Sequence, residues 1–486
     1  VGDWAAMMWI GVLYRYGEGV ETDPAKAVEW FRKAAAKDQT YAMTSLAAMC
    51  RDGEGIQTNN AEALRWFRRA MANDDAYAMA ALGHMYLDGR GVKRDHDEAL
   101  RLFKLAAERG NAWSMYSIGS MYSYGDGVDA DDAIAMQWFM DAAKAESYGA
   151  MFEVAEMYRD GRGVRMNFGE ALIWYRRAAE GDNADSMHAI GTMYEWGQGI
   201  SRDFGKAMIW YRKAADSGSS DAMAGVGRLY ANGLGVDKDI TSAMRWMLRA
   251  AEEENDHAMY VIGRSYQLGQ GVKRDFKAAM KWYRRASKYE NPDALGAIGQ
   301  LFVEGNGVKQ DVGEAIRWWQ RASAAGSRWA RESIALAFYD GIDKAPNRQK
   351  AFAIFRLSYN TNPDDYVAMR IWQCQATQGI TDGARAFVVA HIKKYKPTGW
   401  ALVVLRTIAD DMTNADLLDL ARKKSEKQAM TVPQRLCEAH FYIGCKLLFS
   451  GDKKAAIEQF EKCVATGVDD YIEHRSAQYE LKRLKS

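Results

Sequence analysis

The sequence predicts an all-α protein, specifically an α/α superhelical solenoid of tandem helix-turn-helix repeats. A Gly-x-Gly followed by Val or Ile recurs every 36 residues without insertion or deletion. Each unit carries two amphipathic patterns with helical spacing, and only 6 prolines occur in 486 residues. Units of fixed length that cannot bury their apolar faces alone are typical of stacked repeats.

The repeat register is read from the first glycine of each motif. These glycines are Gly17, Gly53, Gly89, Gly125, Gly161, Gly197, Gly233, Gly269 and Gly305. A tenth, degenerate copy keeps the same register with Gly341, Asn347, Ala351 and Phe355. We therefore predict ten repeats over residues 1–360.

Within each unit, the first helix shows an apolar pair, then an aliphatic with a small residue, then an aromatic, as in Met79, Leu82-Gly83 and Tyr86. This i, i+3/i+4, i+7 spacing indicates one buried face, and the glycine motif ends the helix because glycine tolerates positive φ. The second helix is predicted to begin at an Asp or Asn N-cap. The predicted N-caps are Asp23, Asn59, Asp95, Asp131, Asn167, Asp203, Asp239, Asp275 and Asp311.

The buried face of the second helix is expected to follow an alternation of small and large residues. It runs through Ala27, Trp30 and Ala34 in the first copy, and the fifth and sixth copies repeat it with Ala171, Trp174, Ala178 and Ala207, Trp210, Ala214. Such alternation lets adjacent helices interdigitate.

With these residues in place, the unit resembles the Sel-one-like repeat, a relative of the tetratricopeptide repeat. Residues 187–215 match the pattern almost throughout, and the resemblance extends over about residues 1–360. It implies an α/α superhelix and a role as adaptor or scaffold in protein complexes. It implies no reaction and names no partner.

After the break signal Asn362-Pro363-Asp364-Asp365 the 36-residue register is lost, while helical patterns continue. We predict helices near 365–378, 383–395, 399–410, 415–427, 433–449, 453–466 and 470–484, forming a divergent tetratricopeptide-like domain over 361–486. Residues 437–484 resemble the tetratricopeptide-type hairpin of bacterial envelope and scaffold proteins, including the lipoprotein NlpI type, which implies a bacterial origin. An antiparallel hairpin would bring Cys437 and Cys463 together, either as a disulfide or as two buried thiols.

A partner surface is expected where the copies differ. Three positions of the first helix, spaced i, i+4 and i+8, vary between copies; in one copy they are His188, Thr192 and Trp196. In solenoids of this type the first helix lines the concave surface, so this stripe is the candidate groove for a peptide or helix of another protein. The candidate residues are Tyr116, Tyr124, Phe152, Glu156, His188, Trp196, Tyr260 and Arg264. The alternative is that these aromatics are packing residues between adjacent first helices.

Other classes of function find little support. The net charge of +1 argues against a general nucleic-acid binder, and the Gly-x-Gly units follow helices and lack the Lys-Ser/Thr of a phosphate loop. The 7 histidines are dispersed without metal-ligand spacing, no apolar run approaches a transmembrane length of ~20 residues, and no signal peptide is visible. We expect no catalytic residue, cofactor or metal.

The predicted function is thus a non-enzymatic interaction scaffold. One alternative is a regulatory or targeting part of a larger enzyme whose catalytic domain lies upstream of residue 1. Another is a binder of small ligands or peptidoglycan fragments. The compartment stays open between bacterial envelope or periplasm and cytoplasm, as does the oligomeric state.

Overall fold

The computed structural model describes residues 4–341, 347–378, 380–423, 430–468 and 471–485. Over this part of the chain it contains 27 α-helices and no strand. The predicted all-α class is therefore confirmed. The chain forms two compact units, residues 1–253 and 254–486.

The first unit holds seven helix pairs, in which each helix packs against its neighbours in the chain. They are α1 (Trp4–Tyr16), α2 (Pro24–Ala35), α3 (Thr40–Asp52), α4 (Asn60–Ala72), α5 (Ala76–Asp88), α6 (His96–Ala107), α7 (Ala112–Tyr124), α8 (Asp132–Lys144), α9 (Tyr148–Asp160), α10 (Phe168–Ala179), α11 (Ala184–Trp196), α12 (Phe204–Asp216), α13 (Ser220–Asn232) and α14 (Ile240–Glu252).

The second unit holds three further pairs and then seven helices without the repeat register. The pairs are α15 (Asp256–Leu268), α16 (Phe276–Ala286), α17 (Pro292–Glu304), α18 (Val312–Ala324), α19 (Arg328–Asp340) and α20 (Arg348–Thr361). The remaining helices are α21 (Asp365–Ala376), α22 (Thr381–Tyr395), α23 (Gly399–Ile408), α24 (Asn414–Arg422), α25 (Val432–Phe449), α26 (Lys453–Val464) and α27 (Ile472–Lys485).

The helix starts follow the predicted capping. All nine Asp and Asn residues predicted as N-caps of second helices accept a hydrogen bond from a backbone N–H in the first turn. In α6, for example, Asp95 Oδ1 accepts from Glu98 N at 3.0 Å. Such a bond satisfies one of the free N–H groups at a helix start.

The two glycines of the motif have different tasks. Gly53 has φ 76° and donates its N–H to Met49 O at 2.9 Å, which ends α3 in a left-handed cap. Gly55 has φ 69°, and a Cβ there would lie 2.3 Å from the carbonyl carbon of Pro24 in the preceding repeat. The second glycine is thus required because two repeats approach closely at this point.

In the second helices, the large residue at the centre of the core lies one position later in the sequence than predicted. Phe31, Tyr175 and Tyr211 are fully buried, each directly after the tryptophan predicted for the core. Trp174 is buried as predicted, but Trp30 and Trp210 are only half-buried. Their rings lie under ammonium groups instead. Lys33 Nζ is 4.1 Å from the Trp30 ring centroid, and Lys213 Nζ is 4.7 Å from that of Trp210.

All seven helices predicted after residue 361 are found. Residues 424–427 of the predicted helix 415–427, and residue 470, lie outside the described residues. The break is confirmed, because α20 ends at Thr361 and Asp364 caps α21. The division into domains at residue 360 follows the sequence pattern and stays a prediction. Within the described ranges, no helix combines the length and apolarity needed to cross a membrane.

Candidate partner-binding surface

We call the three variable first-helix positions of each repeat the variable stripe. In the first unit the candidate residues on it are Tyr116 and Tyr124 of α7, Phe152 and Glu156 of α9, and His188 and Trp196 of α11. In the second unit they are Tyr260 and Arg264 of α15. The two sets are described separately.

A cavity of about 240 Å³ opens beside α9 and α11 and brings three of the candidate residues together, Phe152, Glu156 and His188. Its full lining is Phe152, Glu156, Arg159, Tyr175, Asp185, His188, Ala189, Thr192, Met193 and Gln198. Thr192 also belongs to the variable stripe. Four stripe residues therefore line the cavity, together with framework core residues such as Tyr175 and Met193.

One wall of this cavity is a satisfied polar cluster. Glu156 accepts hydrogen bonds from the Tyr175 hydroxyl and from Arg159 Nη1, the latter at 2.5 Å. Burial and the adjacent Glu156 carboxylate raise the pKa of Tyr175, so its hydroxyl keeps its proton. The cluster holds Glu156 in place and neutralises its charge locally.

The opposite wall offers groups suited to recognition. His188 lies with its ring centroid 5.5 Å from that of Tyr211, and burial lowers its pKa, so the imidazole is neutral near pH 7. A neutral imidazole has one donor and one acceptor nitrogen. Asp185 is exposed in the first turn of α11. Together with the Phe152 ring, these groups could hold a side chain with an apolar body and a polar end.

Two candidate aromatics project into solvent. Tyr124, the last residue of α7, is 75% exposed, and Trp196, the last residue of α11, is 64% exposed. Large exposed aromatics have no role in the core and are the residue types enriched at interface hot spots.

Tyr116 lies outside the cavity. Its ring packs 5.5 Å from Phe139, and its hydroxyl donates to Glu153 at 3.4 Å. This half-buried position agrees with the alternative that the candidate aromatics are packing residues. The Tyr116 ring packs against α8, the second helix of its own repeat, and its hydroxyl reaches the first helix of the next repeat. Phe152 and His188 share this position and pack in the same way on Tyr175 and Tyr211.

In the second unit, Tyr260 packs 5.8 Å from Tyr283, and Arg264 is exposed. A separate cavity of about 160 Å³ lies between α17, α19 and α27. On α19 it is lined by all three stripe positions, Glu332, Leu336 and Asp340, and α27 closes it with Ile472, Arg475 and Tyr479. None of the eight candidate residues lines it, because the ninth and tenth copies were not included among them.

Sequence reasoning also missed Arg159 and Tyr175, which support the first cavity. A signal was present at the core position of the second helix. It reads Phe in the first four repeats, and Tyr175, Tyr211 and Tyr283 occupy it later. A buried hydroxyl requires a partner, and these three bond to Glu156, Glu195 and Gln267. Comparing copies at this position would have pointed to the cluster.

The chain consists of successive antiparallel helix pairs with the same caps, and one face of these pairs varies from copy to copy. These features define the class of α/α repeat solenoids. More specifically, the chain belongs to the Sel1 repeat family. The family profile matches it at residues 4–39, 40–75, 76–111, 114–146, 149–183, 184–219, 220–255, 256–288, 292–327 and 333–360. The expected ten repeats and the resemblance to the Sel-one-like repeat are confirmed. The resemblance to the NlpI type stays a prediction.

The chain is also similar to solved structures. A protective antigen present in uropathogenic Escherichia coli strains, displaying an SLR fold, is 28% identical, with 88% of this chain and 89% of that chain covered and a TM-score of 0.60. A Sel1 repeat protein from Oxalobacter formigenes is 33% identical, with 52% of this chain and all of that chain covered and a TM-score of 0.48. Both are bacterial proteins. Sel1 repeat proteins are generally protein-interaction scaffolds, and their fold is a non-catalytic repeat scaffold.

Proposed function

We propose that this protein is a non-enzymatic adaptor that holds a peptide or helix of a partner protein against the variable stripe of its first helices. The central contacts are made by Phe152, Glu156 and His188 at the cavity between the fifth and sixth repeats. The exposed rings of Tyr124 and Trp196 extend the surface. Tyr260 and Arg264 belong to the same stripe in the second unit.

The observation that carries the proposal is the position of the cavity. Stripe residues were selected because they vary between copies, without reference to shape, yet four of them line the first cavity. Concave sites lined by aromatic side chains with a few polar groups are the usual form of a binding pocket. A framework that stays constant while one face varies is the usual arrangement of a repeat adaptor.

A second observation supports a helix as the kind of ligand. In the second unit, the stripe positions of α19 are covered by α27 of the same chain, with Ile472, Arg475 and Tyr479 facing them. These residues are spaced i, i+3 and i+7, which is the spacing of anchors on one helix face. A stripe that accepts a helix within the chain is suited to accept one from a partner.

The proposal is tested with paired variants of exposed apolar residues. A partner is first identified by affinity capture with the wild-type chain, and its dissociation constant is then measured with purified proteins. We expect Tyr124→Ala/Trp196→Ala to weaken binding at least tenfold, because exposed aromatic anchors carry much of an interface's energy.

The control is Ile173→Ala/Ile209→Ala. These two residues are 47% and 56% exposed on second helices, so their loss should affect folding as little as the loss of Tyr124 and Trp196. Binding by the control variant should equal that of the wild type. If the control weakens binding and the stripe variant does not, the partner uses the second helices and the proposal is wrong.

A further inference from the structure

Two cysteines of the second unit lie side by side in a helical hairpin. Cys437 is in the second turn of α25, and Cys463 is near the end of α26. Because these two helices are antiparallel, the two cysteines lie opposite each other. Their Sγ atoms are 3.2 Å apart, and both residues are completely buried. The sequence-based expectation that the hairpin brings them together is confirmed, and the two are free thiols here.

Cys437 differs from the other four cysteines of the chain, because the neighbouring sulfur and burial raise the pKa of Cys463 as well. Burial raises the pKa of Cys374 and of Cys445 to about 12 and that of Cys50 to about 11. The pKa of Cys437 is instead lowered, because its sulfur shares a hydrogen bond with the Cys463 thiol. The thiolate is the reactive form of cysteine, so Cys437 is the attacking member of the pair.

We propose that Cys437 and Cys463 form an oxidation site at which a hydroperoxide converts the two thiols into a disulfide joining α25 to α26. This site is independent of the partner surface. Covalent S–S contact at ~2.05 Å requires the two sulfurs to approach by about 1 Å, which side-chain rotation and a small helix shift can supply.

The reaction balances with the peroxide as the only oxidant. The Cys437 thiolate attacks one peroxide oxygen, the O–O bond breaks, and water leaves after taking up a proton, which leaves a sulfenic acid on Cys437. The Cys463 sulfur then attacks the Cys437 sulfur, the S–O bond breaks, and a second water leaves with the Cys463 proton. In total, two thiols lose two electrons and two protons, and one hydrogen peroxide is reduced to two waters.

The surroundings indicate what the bond would do. Cys463 Sγ lies 3.7 Å from Glu473 O in the first turn of α27, so the thiol pair borders three helices. A link between α25 and α26 would restrict the unfolded chain and therefore stabilise this part of the second unit. Because both sulfurs are buried, the peroxide reaches them only when the hairpin opens, so oxidation should be slow in the native protein and faster in mild denaturant.

The experiment treats the full chain with hydrogen peroxide, blocks the remaining thiols, and maps peptides without reduction. A protease that cleaves after glutamate separates Cys437 from Cys445 at Glu438. We expect a peptide containing Cys437 linked to one containing Cys463, a melting temperature raised by several degrees, and reversal of both by dithiothreitol. Sub-denaturing urea should accelerate the linkage.

Variants assign the bond. Cys437→Ala and Cys463→Ala should each abolish the linked peptide and the thermal shift, whereas Cys445→Ala, another buried cysteine of α25, should retain both. If a variant fails to fold, as judged by circular dichroism, the wild-type peptide map decides alone. A map in which Cys437 and Cys463 stay unlinked, or in which Cys437 is linked to Cys445 instead, would overturn the proposal.

Discussion

At the scale of single residues, the fifth, sixth and eighth repeats replace a buried phenylalanine by tyrosine and supply an acceptor on the first helix. Tyr211 donates its hydroxyl to Glu195 Oε2 at 2.6 Å, and Arg228 Nη2 donates to the same oxygen at 2.6 Å. Glu195 is only 3% exposed. A carboxylate this deeply buried is tolerated because its charge is paired and hydrogen-bonded.

The first prediction concerns this pair. Arg228→Met should lower the free energy of unfolding by about 1–3 kcal/mol, because Glu195 is left buried with the tyrosine hydroxyl as its main partner. Urea unfolding followed by circular dichroism measures the change. The double variant Glu195→Gln/Arg228→Met should recover much of the loss, since no charge is then buried. Equal stability of the single and double variants would contradict this account.

The second prediction concerns His84, whose ring stacks on Trp113 at 4.1 Å between centroids. Burial lowers its pKa to about 4, below the unfolded value of about 6.5. The folded state therefore disfavours the protonated ring. The contribution of the neutral His84 ring to the free energy of unfolding is fully present above about pH 6.5. It is lost as the pH falls towards 4, by up to about 3 kcal/mol.

The measurement is the unfolding free energy of wild type and His84→Gln at several pH values between 7 and 4. The variant loses the stacking contact with Trp113 and is therefore less stable than the wild type at pH 7. Because glutamine does not titrate, the free energy of unfolding of the variant should fall less steeply as the pH is lowered. Two parallel curves would show that His84 does not contribute to the pH dependence.

At the scale of helices and turns, the repeat is held by local signals at both helix ends and by one close approach between repeats. The side-chain caps of the second helices and the left-handed glycines such as Gly53 act within a single unit. Gly55 acts between units, where the turn of one repeat meets the start of α2 in the repeat before it. The motif therefore encodes both a helix end and a stacking contact.

The third prediction separates these two effects by comparing Gly19 and Gly55. Both have positive φ, at 75° and 69°, but a Cβ at Gly19 has no atom within 4 Å, whereas one at Gly55 would lie 2.3 Å from Pro24. Gly19→Ala should cost only the left-handed strain, ~1–2 kcal/mol. Gly55→Ala should cost clearly more, because backbone must also move. Thermal unfolding of both variants measures the difference, and equal losses would contradict the close-contact role.

At the scale of the whole molecule, stability is distributed along the chain. In the first unit, helices contact their neighbours in sequence from α1 to α14. The second unit adds contacts between distant segments, such as the Arg348–Glu480 and Arg370–Glu473 ion pairs, at 3.1 and 2.8 Å. An array of nearest-neighbour contacts can be shortened at a repeat boundary, whereas long-range contacts make the C-terminal helices interdependent.

The fourth prediction follows from this difference. A fragment of residues 1–253 should keep helical content per residue close to that of the full chain and unfold cooperatively, because it contains both helices of the seventh repeat. A fragment ending at residue 239 lacks α14, which packs on α13 beside Gly227, so its last helix should fray and be cleaved early. Circular dichroism and limited proteolysis test both. Equal protease resistance of the two fragments would argue against repeats as the stabilising unit.

The sequence by itself determined the all-α class, the number of repeats, the N-caps and the helices after residue 361. These features depend on spacing along the chain and on local hydrogen bonds, which a single sequence displays directly. It also proposed the variable stripe as the partner surface, since copies can be compared within the chain, and that proposal stays a prediction.

Only the tertiary structure decided which of two adjacent aromatics enters the core. Trp210 and Tyr211 are both large and apolar, and their order of burial depends on how the facing helix fills the remaining space. The same reason explains why α27 over the stripe of α19 could not be foreseen. Such contacts join residues far apart in the chain, and no local pattern records them.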